Sequence, residues 1–352
     1  MSEFDLWLAS PPKQLDQAAQ AAAEQRQQQL TKPAGSLGQL EDIAINLAGM
    51  QGSVQPNVEK IHITVFAGDH GIVAEGISAF PQAVTAEMVR NFSRGGAAIS
   101  VLAKQTQADL TVLNMGTVTE IEMLSGVQDH RIAAGTQNFL QQAAMTLEQC
   151  QGALIIARQH IEQLKDNHID LFIGGEMGIG NTTSATAIAS ALLAINPVEI
   201  TGAGTGLNQT EIQHKADVIQ QALNHHQNEL CSPLAILQYL GGFEIAALAG
   251  AYITCAKVGI PVLVDGFIAS VAALMAERLC PGTKDWYLYS HQSSELGHKI
   301  ILEHLSAKPL LNIGMRLGEA SGAAATIPLI KLSCALHNSM ATFAEAAVSE
   351  KA

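Results

Sequence analysis

Aromatic residues are scarce in this 352-residue chain, at 4%, and positive charge is short: 19 Lys and Arg face 32 Asp and Glu, a net charge of −13. No run of Lys or Arg occurs. A chain this acidic repels phosphate backbones unless a basic patch is set apart, so nucleic acid is not an expected partner. Long apolar runs are missing too. The longest uncharged stretch, Met177 to Val198, carries Asn181, Thr182, Thr183, Ser184 and Asn196, and the apolar region Ile245 to Ala276 is cut by Lys257, Pro261 and Asp265. Neither resembles the roughly 20 apolar residues of a membrane-spanning helix. The opening MSEFDLWLASPPKQ is acidic and lacks a signal-peptide pattern. The five cysteines (Cys150, Cys231, Cys255, Cys280, Cys334) are scattered, with no CxxC pair. They read as reduced thiols of a cytoplasmic protein.

What is present points to a packed α/β chain. Apolar residues make up 48%, charged residues 14%, and there are 30 glycines, which excludes disorder. Short apolar runs at Ile61–Phe66, Leu110–Asn114, Leu171–Ile173, Val262–Val264, Trp286–Tyr289 and Leu310–Asn312 alternate with helical patterns. Those patterns lie near 82–92, 95–105, 138–166, 181–194, 208–226, 243–257, 267–278, 294–305 and 318–335. The alternation predicts an open, mainly parallel Rossmann-like sheet of about six strands flanked by helices. Residues 14–31 are Ala- and Gln-rich and helix-forming, and Ser36-Leu37-Gly38-Gln39 has capping-box spacing for a second helix through about Met50. The expected division is a large α/β domain over 55–335 and a smaller helical part from 1–54 and 336–352, with a C-terminal helix near 337–349.

In open parallel sheets ligands bind beyond the carboxyl ends of the strands. The residues there are loaded: Ala67-Gly68-Asp69-His70-Gly71, Gly174 through Thr183, Asp265-Gly266, Ser290-His291-Gln292-Ser293-Ser294, and Gly314-Met315-Arg316-Leu317-Gly318-Glu319. The Gly174–Thr183 loop opens a helix, so its amides and helix N-terminus suit an anion, and Asn181, Thr182 and Thr183 add side-chain donors. It is neither a Walker A loop nor a GxGxxG turn; an ordinary glycine-rich βα turn is the plain alternative. Thr201 to Gly206, with Gly202 and Gly204, is a second glycine loop, and Lys215 is a candidate counter-charge, or else a solvated lysine. Glu176 and Glu319 each follow a glycine and suit acid–base work or stabilisation of a developing cation; either could instead complement a helix dipole. Asp69, His70 and His291 raise a metal site that no HxH, HxxxH or CxxC spacing backs, so none is expected. Phe80, Pro81, Val84 and Met88 form an apolar stripe that is core or one wall of a pocket for a flat ligand, with Met177 and Leu317 beside the carboxylates.

Seven motifs in order carry a family resemblance: Lys32-Pro33-Ala34-Gly35-Ser36-Leu37-Gly38, Gly68-Asp69-His70-Gly71, Gly175 through Thr183, Gly241-Gly242-Phe243-Glu244, Leu263-Val264-Asp265-Gly266-Phe267, Ser290-His291 and Met315-Arg316-Leu317-Gly318-Glu319. From about residue 30 to about 345 the chain resembles the nicotinate-nucleotide–dimethylbenzimidazole phosphoribosyltransferases. The resemblance implies transfer of 5-phosphoribosyl from nicotinate mononucleotide to 5,6-dimethylbenzimidazole, giving α-ribazole 5′-phosphate and nicotinate, in synthesis of the cobalamin lower ligand. It implies a homodimer with no organic cofactor. It places Glu319 as the catalytic base and Glu176 as an active-site carboxylate. Gly178, Gly180, Asn181, Thr182, Thr183, Gly202, Gly204, Lys215 and Ser293 fall where the nucleotide is held, with Gly314 and Arg316 beside them, and the 80–88 stretch falls on the benzimidazole wall. A ligand-binding protein of the same fold without turnover is the competing reading; retention of both glutamates weighs against it. A dinucleotide oxidoreductase would need GxGxxG where Gly68-Asp69-His70-Gly71 stands.

Overall fold

Three helices come first in the computed structural model, which describes residues 2–204 and 206–349: α1 (Glu3–Ala9), α2 (Gln17–Gln29) and α3 (Gln39–Gln51). The strand β1 (Ile61–Gly68) is followed by α4 (Ala83–Arg94), α5 (Ala98–Thr106), β2 (Asp109–Gly116) and a short β3 (Val127–Asp129). Next come α6 (Leu147–Asp166), β4 (Leu171–Met177), α7 (Asn181–Leu193), α8 (Pro197–Ile200), α9 (Gln209–His225), α10 (Pro233–Leu240) and α11 (Phe243–Val258). The remaining elements are β5 (Val262–Val264), α12 (Phe267–Leu279), β6 (Tyr287–Tyr289), α13 (His298–His304), α14 (Ser321–Ser339) and α15 (Phe343–Ala346).

All six strands pair in parallel, in the order β3-β2-β1-β4-β5-β6. This is the doubly wound order, and its reversal point lies between β1 and β4, where a ligand crevice opens. The strands are near-continuously apolar because both faces are covered. Alternate side chains feed two cores. Phe66, Phe172, Val262 and Val264 join a cluster with α6, α11 and α12, while Ile61, Ile63, Val65, Ile173 and Leu263 join one with α3, α5 and α14. Phe66 pairs in register with Glu176, and Ala67 with Met177, which sets the first expected carboxylate at the reversal point.

Five expected strands form, and the sixth is a different one. Leu310–Asn312 is not in the sheet: Leu311 makes only an isolated bridge to His291. The sixth strand is Val127-Gln128-Asp129, a half-exposed edge strand too short and polar to show an apolar run. Residues 138–146 are not helical; a Thr146–Gln149 capping box starts α6 later. No capping box forms at Ser36 either, since Gly38, at φ 57°, precedes α3 without a side-chain cap, and the Glu41 carboxylate accepts the Leu37 N–H at 2.9 Å. The expected helix near 337–349 is instead the end of α14, a turn and the single-turn α15. Helix α1 was not expected. Its Phe4 and Trp7 are buried, and the Lys257 ammonium donates to the carbonyls of Trp7 and Ser10 at its end.

Candidate active site

Beyond the carboxyl ends of β4, β5 and β6 lies a cavity of about 510 Å³. Three loops converge on it because hydrogen bonds tie them together. The Val118 N–H and the Thr85 hydroxyl donate to the Asp69 carboxylate at 2.8 and 2.6 Å, and the Ile179 N–H donates to Thr85 Oγ1 at 3.1 Å. Gly178 has to be glycine, because a Cβ there would overlap the carbonyl oxygen of Gly68. The loop after β4 therefore passes close to the end of β1, with its Ile179 N–H taken by Thr85 and its Asn181 N–H by the Gly178 carbonyl.

Of the expected nucleotide residues, Gly178, Asn181, Thr182, Gly204, Ser293 and Arg316 line the cavity. Asn181 and Thr182 open α7, and Gly266 to Ala269, at the start of α12, form a second stretch of wall. Two helix N-termini thus point partial positive charge at one space. Lys215 stands behind the wall, nearly fully buried, and donates to Thr182 Oγ1 at 2.8 Å. Burial brings its ammonium down to about 8, against the opposing charge of Glu295. Arg316 donates to the Gly204 carbonyl at 3.2 Å. Gly180, Thr183, Gly202 and Gly314 lie off the wall. Gly180 caps α7 at φ 97°, Thr183 is buried in that helix, Gly202 lies against the Glu295 carboxylate, and Gly314 turns the last loop at φ 78°.

The apolar residues divide. Phe80, Met177 and Leu317 line the cavity, and Phe80 and Leu317 remain 47% and 57% exposed at its mouth. Pro81 and Val84 do not line it, and Met88 turns onto the core beneath β1 and β2.

Both expected carboxylates face the cavity, with a third, Asp265, between them in chain order. Glu176 and Glu319 are 6% and 5% exposed. Burial raises Glu176 well above the usual carboxylate range, and the charges of Glu244, Asp265 and Glu319 push it further. The Asn181 amide donates to it. Burial, then the charge of Asp265, pushes Glu319 up to about 7. Burial thus disfavours the ionised form of Glu176, whereas Glu319 changes charge near neutrality, as a general base should.

The profile of a family described as "Phosphoribosyltransferase" matches residues 12–348. Over 345 residues, 98% of each chain, the sequence is 56% identical to the nicotinate-nucleotide–dimethylbenzimidazole phosphoribosyltransferase of Pseudomonas putida. The chain belongs to this phosphoribosyltransferase family. The enzyme of that name from Ectopseudomonas mendocina is 53% identical over the same length. The crystal structure of CobT from Thermus thermophilus superposes with a TM-score of 0.91 at 39% identity, covering 95% of this chain and 100% of that one.

Several residues in and behind the cavity were not expected as site residues. Asp265 and His291 line the cavity, with His291 Nδ1 3.8 Å from Asp265. His70 Nε2 lies 2.6 Å from Glu244 Oε1, both fully buried behind Gly178. Glu295 lines the cavity beside Gly202. The only signal for Asp265 and Glu244 was their place in glycine-flanked motifs. The three residues weighed as metal ligands have separate partners: Asp69 with Thr85, His70 with Glu244, His291 with Ser290. Among the described residues no three His, Cys, Asp or Glu side chains converge on a metal position, and no helix is long and apolar enough to cross a membrane.

Proposed function

We propose that this phosphoribosyltransferase moves the 5-phosphoribosyl group of nicotinate mononucleotide to 5,6-dimethylbenzimidazole, giving α-ribazole 5′-phosphate and nicotinate for the lower-ligand nucleotide of cobalamin. The names of its relatives support the substrates. The observation that carries the chemistry is Glu319, a buried carboxyl poised near neutrality in a cavity with donors on one side and apolar side chains on the other.

The donor brings its own leaving group, a pyridinium. The unprotonated benzimidazole nitrogen forms a bond to C1′ as the C1′–pyridinium bond breaks. That electron pair stays on the pyridine nitrogen, which becomes neutral, so departure needs no general acid. The proton on the other benzimidazole nitrogen passes to Glu319. One displacement on a β-nucleotide inverts C1′ and gives the α product, with no covalent enzyme intermediate, unlike the retaining two-carboxylate scheme.

The 5′-phosphate fits beside Gly178, the start of α7 at Thr182, Gly204 and Ser293, with Lys215 supplying charge through Thr182 and Arg316 at the edge. The flat base fits between Phe80, Met177 and Leu317, where apolar burial is worth about 25 cal/mol per Å². Glu176, whose ionised form burial disfavours, lies on the same wall, where its carboxyl oxygens suit the developing ribosyl cation.

Incubation with nicotinate mononucleotide and a panel of azoles, with products identified by mass, tests the reading. Dimethylbenzimidazole should give its ribotide and nicotinate in equal amounts. No transfer to any azole would refute it.

A further inference from the structure

Helix α14 begins without a cap of its own. Its N-cap is Ala320, whose methyl cannot accept a hydrogen bond, and the helix runs 19 residues. Three consecutive residues before it, Gly318, Glu319 and Ala320, are left-handed, at φ 84°, 62° and 64°. Glycine adopts that conformation freely; Glu and Ala do so at a cost that surrounding structure must offset. The missing cap arrives from 58 residues away. Asp265, at the end of β5, accepts the Ala323 N–H at 2.8 Å; burial raises its carboxyl above the usual range, and His291 with the Ala323, Gly266 and Gly322 amides oppose that rise. The Ser321 N–H donates to the Gly318 carbonyl at 2.9 Å and closes the turn. On the far side, Ala320 packs against Gly175 of β4 so closely that a Cβ on Gly175 would meet its nitrogen at 2.7 Å.

We propose that Asp265 is the positioning residue for Glu319: its carboxylate caps α14 from another strand, holds the left-handed Gly318–Ala320 turn, and so aims the Glu319 carboxyl into the cavity with a like charge at its back. This rests on Glu319 being the base. A carboxylate at a helix N-terminus is held by the dipole as well as by the amides, so one group performs the capping and the electrostatics together. The surroundings supply the other charges. Glu176 faces the turn from β4, against Gly318; His291 faces Asp265 from the end of β6, its Nδ1 3.8 Å away; Arg316 lies on Glu319's own loop. Glu244 and the Tyr252 hydroxyl on α11 stand further back; the charge of Glu244 acts on Glu176, and that of Asp265 acts on Tyr252. Of these, Asp265 is the charge that raises Glu319.

The test compares wild type, Asp265→Asn, Asp265→Ala and Glu319→Gln, with kcat and KM measured for both substrates from pH 5 to 9 on protein whose thermal unfolding shows it folded. Asp265→Ala should lower kcat about 10²-fold with KM for the base nearly unchanged, since a displaced base fails in the transition state more than in binding. Asp265→Asn, which keeps an acceptor for the Ala323 N–H but removes the charge, should recover at least about tenfold of that loss. It should also move the acid limb of kcat/KM down by about one pH unit, because a like charge no longer opposes ionisation of Glu319. If Glu319→Gln abolishes turnover while both Asp265 variants stay within about threefold of wild type, or Asp265→Asn leaves the limb in place, the positioning role is overturned and the base stands. If Glu319→Gln turns over like wild type, the base reading falls and takes this role with it. Should Asp265→Ala fail to fold, the isosteric Asn variant and its pH profile decide.

Discussion

Glu319 and Glu176 are the same residue type in the same cavity, separated by what surrounds them. Glu319→Gln should lower kcat by about 10²–10⁴-fold, measured at saturating substrates. In wild type kcat/KM should rise with pH through about 7, because the base acts only when ionised. Glu176→Gln should cost much less. An amide resembles the neutral acid that burial favours there, and it can still pair with Asn181. If the two glutamates act as a unit, the double variant will not be additive. Lys215 acts at the same scale. Lys215→Ala removes a buried charge behind Thr182, and the donor KM should rise about ten- to a hundredfold, the equivalent of one charge-assisted contact, with the KM for the base nearly constant. Nicotinate riboside, lacking the phosphate, should be a poor donor for wild type.

At the scale of elements, α4 shows how far periodicity reads. Phe80, Val84 and Met88 recur at helical spacing, and that spacing is identical for a core face and for a pocket wall. Only the fold separates them. Phe80 precedes the helix and lines the cavity, whereas the half-buried Met88 packs against the core. Phe80→Ala should therefore raise the KM for benzimidazoles with the donor KM nearly untouched. Met88→Ala should instead lower the unfolding temperature by the equivalent of up to about 2 kcal/mol and spare both KM values. Strands β1, β2, β4, β5 and β6 and the loops beyond them were legible, because buried parallel strands are apolar runs with polar residues crowded at their ends. Strand β3 was not, as three half-exposed edge residues carry no pattern. Nor were the partnerships of Asp265 with α14 and of His70 with Glu244, which link residues 58 and 174 positions apart and leave no local trace.

Across the whole molecule, burying carboxyls links folding to pH. Glu319 binds its proton more tightly folded than unfolded, so between about pH 4.5 and about 7 the native state holds more protons than the unfolded chain. Stability is greatest below that window and falls as pH rises through it, by a few kcal/mol at most for this one group. Glu319→Gln should flatten that part of the curve, read by denaturant titration at pH 5 and pH 8. Glu176 contributes in the same direction.

The acidic wall around Glu319 also discriminates between the donor and the by-product it leaves behind. The donor enters with a positively charged ring, and that ring leaves neutral, with only its negative carboxylate remaining. A cavity whose wall carries Glu295 and, above about pH 7, the ionised Glu319 favours the first over the second. Nicotinate should therefore be a feeble product inhibitor, with an inhibition constant well above the donor KM and rising further above pH 7, and ribotide should pile up without the enzyme stalling on its by-product.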